Sequence, residues 1–318
     1  MARTILLFLT RPNGYQPSSA IQSGGKMARY PRPRRLRPLH SPIPHRPECS
    51  IANSTRSRYT GVLLTPKNRK LNFVITPQMS APDLLRFGYW PSRQLSGEIP
   101  SPVRGPDEYR GTEVLNVACT QTGLPAGQQR RLVDEWIRFL PTVPATTIVF
   151  SSKVSQELFD AACAAPHLQA LSVKWSSCSS LAALRCAPRL QALYLGSSPA
   201  ISDLSPLSDL PDLRHLFLEN VGEPVDLSSI RGLTELRELG LSAARGQRLR
   251  VVTLRHLSTI QSLEMLWLVS LEIERDGLLP LHKLQSLKSL RTTMRATSAD
   301  FKDLCAAVPS LQYFQPVG

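Results

Sequence analysis

Tyr194, Phe217 and Trp267, with His215, Met265, Arg214, Arg237 and Glu238 beside them, are the residues of this 318-residue chain whose types and spacing could do chemistry together. Large rings with polar tips, flanked by arginine, suit the gripping of another surface. Their chemistry would be recognition. Residues for reaction chemistry are not spaced to cooperate. His167, His215, His256 and His282 fall at similar places in successive stretches, and none is paired with a spaced Asp or Cys. The six cysteines, Cys49, Cys119, Cys163, Cys178, Cys186 and Cys305, contain no C-x-x-C and no Cys/His spacing suited to zinc. Phosphate-loop, dinucleotide, zinc-protease and nucleophile-elbow motifs are missing from the chain. Phrases such as Ser202-Asp203-Leu204-Ser205 read as turns and caps, not calcium loops. No catalytic residue, cofactor or metal site is expected.

The elements that would position the aromatic set are set by a repeat. The pattern L-x-x-L-x-L occurs as Leu190/Leu193/Leu195, Leu213/Leu216/Leu218, Leu236/Leu239/Leu241 and Leu263/Leu266/Leu268. It continues with substitutions as Leu168/Leu171/Val173, Leu287/Leu290 and Leu311/Phe314, and earlier as Ala145/Ile148/Phe150. That makes about eight copies, spaced by 22 to 27 residues. The alternation at the end of each copy is the period of a short strand with one face in a core. A second apolar set, Ile201, Leu204, Leu207 and Leu210 in one copy, must return the chain behind the strand as a helix or 3₁₀ turn. A single copy cannot bury its own leucines. Stacked copies can, by pairing strands in parallel over one shared core.

On these residues the chain resembles the leucine-rich-repeat family, and most nearly its bacterial internalin-type branch. The run from Leu190 to Leu213 carries the likeness, with Ile201-Ser202-Asp203-Leu204-Ser205-Pro206-Leu207 similar to that branch's strand-to-back-face segment. The likeness covers roughly residues 145–314. It implies an α/β fold, a leucine-rich-repeat solenoid with a curved parallel sheet on the concave face and helices or 3₁₀ turns on the back. The family usually places an Asn three residues after the last strand leucine. Here those places hold Ser198, Val221, Ala244 and Leu271, with Asn220 one residue early, so less regular turns are expected. The interval of 27 after Leu236 predicts an inserted loop near Arg245–Arg250.

Composition divides the chain further. Residues 1–78 hold 14 Lys/Arg against one acid, Glu48, while residues 79–318 hold 24 against 23. The basicity therefore belongs to a Pro/Arg/Ser-rich tail, 1–78, which reads as disordered. Met79 reads as a natural start for the folded protein, with the tail then outside the native product. A near-neutral body argues against a specific nucleic-acid site. Residues 79–144 read as an N-terminal cap. They comprise an irregular cover from Leu84 to Pro106, a strand over Val114–Cys119 and an amphipathic helix over Gly127–Leu140 closed by Pro141 and Pro144. The repeats fill 145–318, with back-face helices over Ser155–Ala165 and Ser298–Ala307 in which Cys163 and Cys305 are small buried residues. No apolar run approaches the roughly 20 residues of a membrane span. The apolar core Ile5–Leu9 is too short for a signal peptide. Free buried thiols fit the cytoplasm.

Between the last two core places of each copy, one residue points to the concave face: Val149, Ser172, Tyr194, Phe217, Gly240, Trp267, Arg291 and Gln315. Two places earlier come Thr147, Ala170, Ala192, His215, Glu238, Met265, Ser289 and Tyr313. Tyr194, Phe217 and Trp267 then form a band with His215 and Met265, flanked by Arg214, Arg237 and Glu238. A non-catalytic module that grips a partner protein on its concave face is the leading expectation. If neighbouring copies pack these rings together, or the inserted loop covers them, the band is structural instead. A translocated bacterial effector binding a host protein is one alternative. An enzyme with its chemistry in 79–144 is another.

Overall fold

A computed structural model describes residues 99–294 and 297–316, together with a two-residue strand, β1 (Val62–Leu63). Of the expected disordered tail, 1–78, only Val62–Leu63 are described, and there the chain is a strand instead; the rest of the tail and residues 79–98, with the first part of the irregular cover, lie outside the described residues. The repeats produce a parallel sheet of nine strands: β2 (Val114–Val117), β3 (Thr147–Phe150), β4 (Ala170–Val173), β5 (Ala192–Leu195), β6 (His215–Glu219), β7 (Glu238–Ser242), β9 (Met265–Val269), β11 (Ser289–Thr292) and β12 (Tyr313–Pro316). β1 pairs antiparallel with β12 at the far edge. A separate two-stranded parallel sheet joins β8 (Leu249–Thr253) to β10 (Leu271–Arg275).

The register follows the leucines. Leu115, Ile148, Leu171, Leu193, Leu216, Leu239, Leu266 and Leu290 are partners on successive strands, and none is more than 2% exposed. Each rung thus supplies one aliphatic side chain to a single continuous core. The expected first strand is the first rung of the same sheet.

Behind the strands, the return segments differ with their spacing. Leu204, Leu207 and Leu210 are buried and three apart, and the chain there is a 3₁₀ helix, Ser205–Asp209. Three residues per turn stacks such a set on one line, which an α-helix of the same length cannot do. The same device recurs at Ala182–Cys186, Ser228–Ile230, Arg255–Thr259 and Leu279–Lys283. Longer returns at the two ends become α-helices, Ala126–Phe139, Gln156–Cys163 and Ser298–Ala307. Ser155 caps the second by accepting from Leu158 N, and Thr297 with Asp300 forms a capping box on the third. Cys163 is buried as expected, but Cys305 is only half-buried.

The turns after the strands are built differently from one another, and the expectation of an inserted loop needs correction. Ser198, where the family usually has Asn, is buried, and its hydroxyl donates to Gly196 O at 2.6 Å and meets Ser176 Oγ at 2.8 Å. Asn220, one place early, takes positive φ and donates from Nδ2 to Ser197 Oγ. Short polar side chains therefore satisfy these turns, which stay in register through the bridges Val154 to Ser176 and Ser198 to Val221. The insertion after β7 is not a loose loop throughout. After a turn at Gly246 it becomes β8, which pairs with β10 and bridges to Val225 through Val251.

Candidate functional site

The sheet brings the expected residues into two adjacent rows. Tyr194, Phe217, Gly240, Trp267 and Arg291 are register partners on β5, β6, β7, β9 and β11. His215, Glu238 and Met265 are partners one row over, and Arg214 and Arg237 stand immediately before β6 and β7.

The rings touch one another in sequence. Tyr194 stacks on Phe217 with centroids 5.4 Å apart and planes 3° apart. Phe217 meets Trp267 edge-on at 6.3 Å and 82°. Arg291 lies over the far side of Trp267, with Cζ 4.3 Å from the ring centroid. The space for Phe217 comes from Gly240: a Cβ built there would fall 1.8 Å from Phe217 Cδ2. Glycine is required at this point by close approach, not by its backbone angle.

Exposure along the rows is uneven, and this corrects the expectation that all these residues face water. Phe217 is 6% exposed, His215 8% and Glu238 3%, whereas Tyr194, Met265, Trp267 and Arg214 are half-buried and Arg237 is exposed. Phe217 packs on Tyr194, Trp267 and the bare Gly240, and lies in one buried cluster with Ile99 and Val149. His215 Nδ1 and Glu238 Oε2 stand 3.2 Å apart, within ion-pair distance but without the alignment of a hydrogen bond. The Tyr194 hydroxyl donates to Glu219 Oε2 at 3.1 Å, and burial, then the Glu219 carboxylate, push its pKa up. The tyrosine stays a neutral donor.

Parallel strands in this register, apolar 3₁₀ returns and a core of stacked leucines decide the architecture. The fold is a leucine-rich-repeat solenoid. No family model and no curated protein sequence matches the chain. Among solved structures, internalin C2 of Listeria monocytogenes is similar over 57% of this chain and 75% of its own, at 20% identity and a TM-score of 0.43. A second Listeria monocytogenes internalin, inlF, is similar over 65% of this chain and 67% of its own, at 16% identity and 0.40. A leucine-rich-repeat protein of Leptospira interrogans is similar over 69% of this chain at 16% identity and 0.42, and the match spans 59% of that protein's length. Overlaps of this depth fix neither a partner nor an activity for the solenoid.

Sequence reasoning missed two members of the concave side, and the role of a third. Asn116 occupies the first rung of the aromatic row; it donates from Nδ2 to Pro100 O at 2.9 Å and accepts from Ser151 Oγ at 2.7 Å. Ile99 is buried on this side in a cluster with Val149 and Phe217. Gly240 was legible as a row member, but its role as a seat for Phe217 depends on which way the neighbouring ring turns.

The N-terminal rungs hold a cleft of about 420 Å³ between Arg104 and the turns after β2 and β3, lined also by Pro102, Ala118, Thr120, Gln121, Thr122, Ser151 and Ser152. Its hydroxyls are engaged: Thr120 donates to Lys153 O at 2.7 Å, and Thr122 donates to Gln129 Oε1 at 2.6 Å. Neither a histidine nor a carboxylate lines it. Among the described residues, no three His, Cys, Asp or Glu converge as metal ligands, and no helix is long and apolar enough to cross a membrane.

Proposed function

We propose that the solenoid is a non-catalytic protein-binding module that holds a partner on its concave face. The observation that carries this reading is the run Tyr194–Phe217–Trp267 on β5, β6 and β9, with the bare Gly240 of β7 between the last two and Arg291 capping its end. Stacked aromatic rings fixed by a rigid sheet offer a large apolar contact at small cost in side-chain freedom. In this reading Trp267, Tyr194 and Met265 form the contact, and the buried Phe217 and the His215–Glu238 pair hold its floor. Arg214 and Arg237 form its charged rim.

The test is capture of binding proteins on the purified chain and on a Trp267→Ala version. Truncating a true aromatic anchor lowers affinity by about 2 kcal/mol or more, near thirtyfold. The melt should move by about 1 kcal/mol or less, because Trp267 is only half-buried and its ring contacts are worth about 0.5–1.5 kcal/mol. Back-face changes at Lys283 and Lys302 should leave capture unchanged. Equal capture by parent and Trp267→Ala would place the contact elsewhere on the molecule.

A further inference from the structure

We propose that the concave face receives an acidic segment of its partner protein, one carboxylate of which is held between Arg214 and Arg237. This rests on the reading that the concave face is the binding surface. The two arginines occupy equivalent places on consecutive rungs, and the backbone joins them directly, Arg237 N donating to Arg214 O at 2.9 Å. Their side chains therefore originate about 4.8 Å apart, close enough for one carboxylate to accept from both guanidinium groups.

Neither arginine forms an ion pair among the described residues, because the acids nearest to them are committed elsewhere. Glu264 is next in the same row, with its N–H donating to Arg237 O at 2.8 Å, yet its carboxylate turns away to Lys288 Nζ at 2.7 Å. Glu238 stands against His215, and Glu219 accepts from Tyr194. Asp212 and Glu235, exposed two positions before each arginine, do not reach them. Arg214 Nε is shielded from solvent and has no hydrogen-bond partner, while Arg237 stays open at the rim. A planar fork with an unused, sheltered donor is preorganised for a planar two-oxygen acceptor.

The same surroundings disfavour a polyanion. Glu219, Glu238 and Glu264 lie within three rungs of the pair, and a nucleic-acid backbone would carry its evenly spaced phosphates across them. An isolated carboxylate beside apolar residues would not, and it would set its neighbours on the aromatic run.

The experiment is fluorescence anisotropy on the full chain with two labelled decapeptides, one alternating Glu and Tyr, the other Gln and Tyr, and with a single-stranded DNA decamer. The Glu–Tyr peptide should bind about tenfold tighter than its Gln–Tyr counterpart, an advantage that shrinks as salt rises. Arg214→Gln with Arg237→Gln should bring Glu–Tyr binding down to the level of the Gln–Tyr peptide and leave the melt unchanged. Arg214→Lys with Arg237→Lys should keep only part of it, since lysine lacks the fork, and this version guards against misfolding of the first. Equal binding of the two peptides by the parent would overturn the acidic assignment while the concave-face reading stands. Binding of neither peptide would overturn both. Tighter binding of the DNA than of the Glu–Tyr peptide would overturn the proposal in favour of nucleic acid.

Discussion

The two faces of the one sheet are built from alternate residues of the same strands, yet they obey different rules. On the core side every rung offers nearly the same aliphatic shape, from Leu115 through Leu216 to Leu290, and the 3₁₀ returns close over it from behind. On the concave side the row runs Asn116, Val149, Ser172, Tyr194, Phe217, Gly240, Trp267, Arg291, with no common shape. Burial there runs largely sideways: Tyr194 stacks on Phe217, Gly240 leaves room beneath its ring, and Ile99 joins it in one buried cluster. A change on the core side is felt at its own rung. A change on the concave side is felt at the next one.

The largest expected effect tests the core side. Leu216→Ala should cost about 2–5 kcal/mol, the usual cost of a cavity at a fully buried leucine. Because solenoid stability is close to a sum of rungs and their interfaces, the loss should appear as early opening of the middle rungs in amide exchange. A melt like that of the parent would erase the distinction between the faces. A smaller effect tests the sideways rule. Gly240→Val should cost about 1–3 kcal/mol by overpacking against the Phe217 ring, and adding Phe217→Ala should recover much of that loss. Strict additivity of the two changes would show that the rungs do not couple along the concave row. The smallest concerns reactivity alone. Burial pushes the Cys119 thiol up to about 12 and raises Cys178, and Cys163, deeper still, lies well above the ordinary value. At neutral pH these three stay protonated and enclosed, so a maleimide should label exposed Cys186 well before them. Labelling of Cys163 at the rate of Cys186 would mean that the rungs around it open freely.

The contrast also explains what could be read in the residues. Strand positions, register and the buried set Ile201, Leu204, Leu207 and Leu210 follow from spacing alone, since a repeated apolar interval has one way to stack. The direction of each concave residue was equally legible, because alternation fixes it. Its exposure was not. Whether Phe217 faces water depends on a ring angle and on a missing Cβ on another strand, and neither is a property of its own stretch. How the serine turn is satisfied was not legible for a related reason. Ser198 does with one hydroxyl what an amide would do, and only the proximity of Gly196 O and Ser176 Oγ makes that sufficient. The longest interval was recognised as an insertion, but that it continues as β8 depends on β10 offering an edge 22 residues later, Leu249 to Leu271.

That second small sheet has a mechanical meaning. Strands joined along one line of hydrogen bonds can pivot about it like leaves on a hinge. The rungs of β6, β7 and β9 are joined along two lines, one through the main sheet and one through Val225, β8 and β10. Two parallel lines of attachment make a beam, and a beam resists the twist that a hinge allows. Elsewhere the outer line is a single bridge wide, at Val154–Ser176, Ser198–Val221 and Val225–Val251, and it is several residues wide only where β8 pairs with β10. Breathing of the stack should therefore concentrate at those single bridges, leaving the span from β7 to β9, where β8 pairs with β10, as its stiffest part.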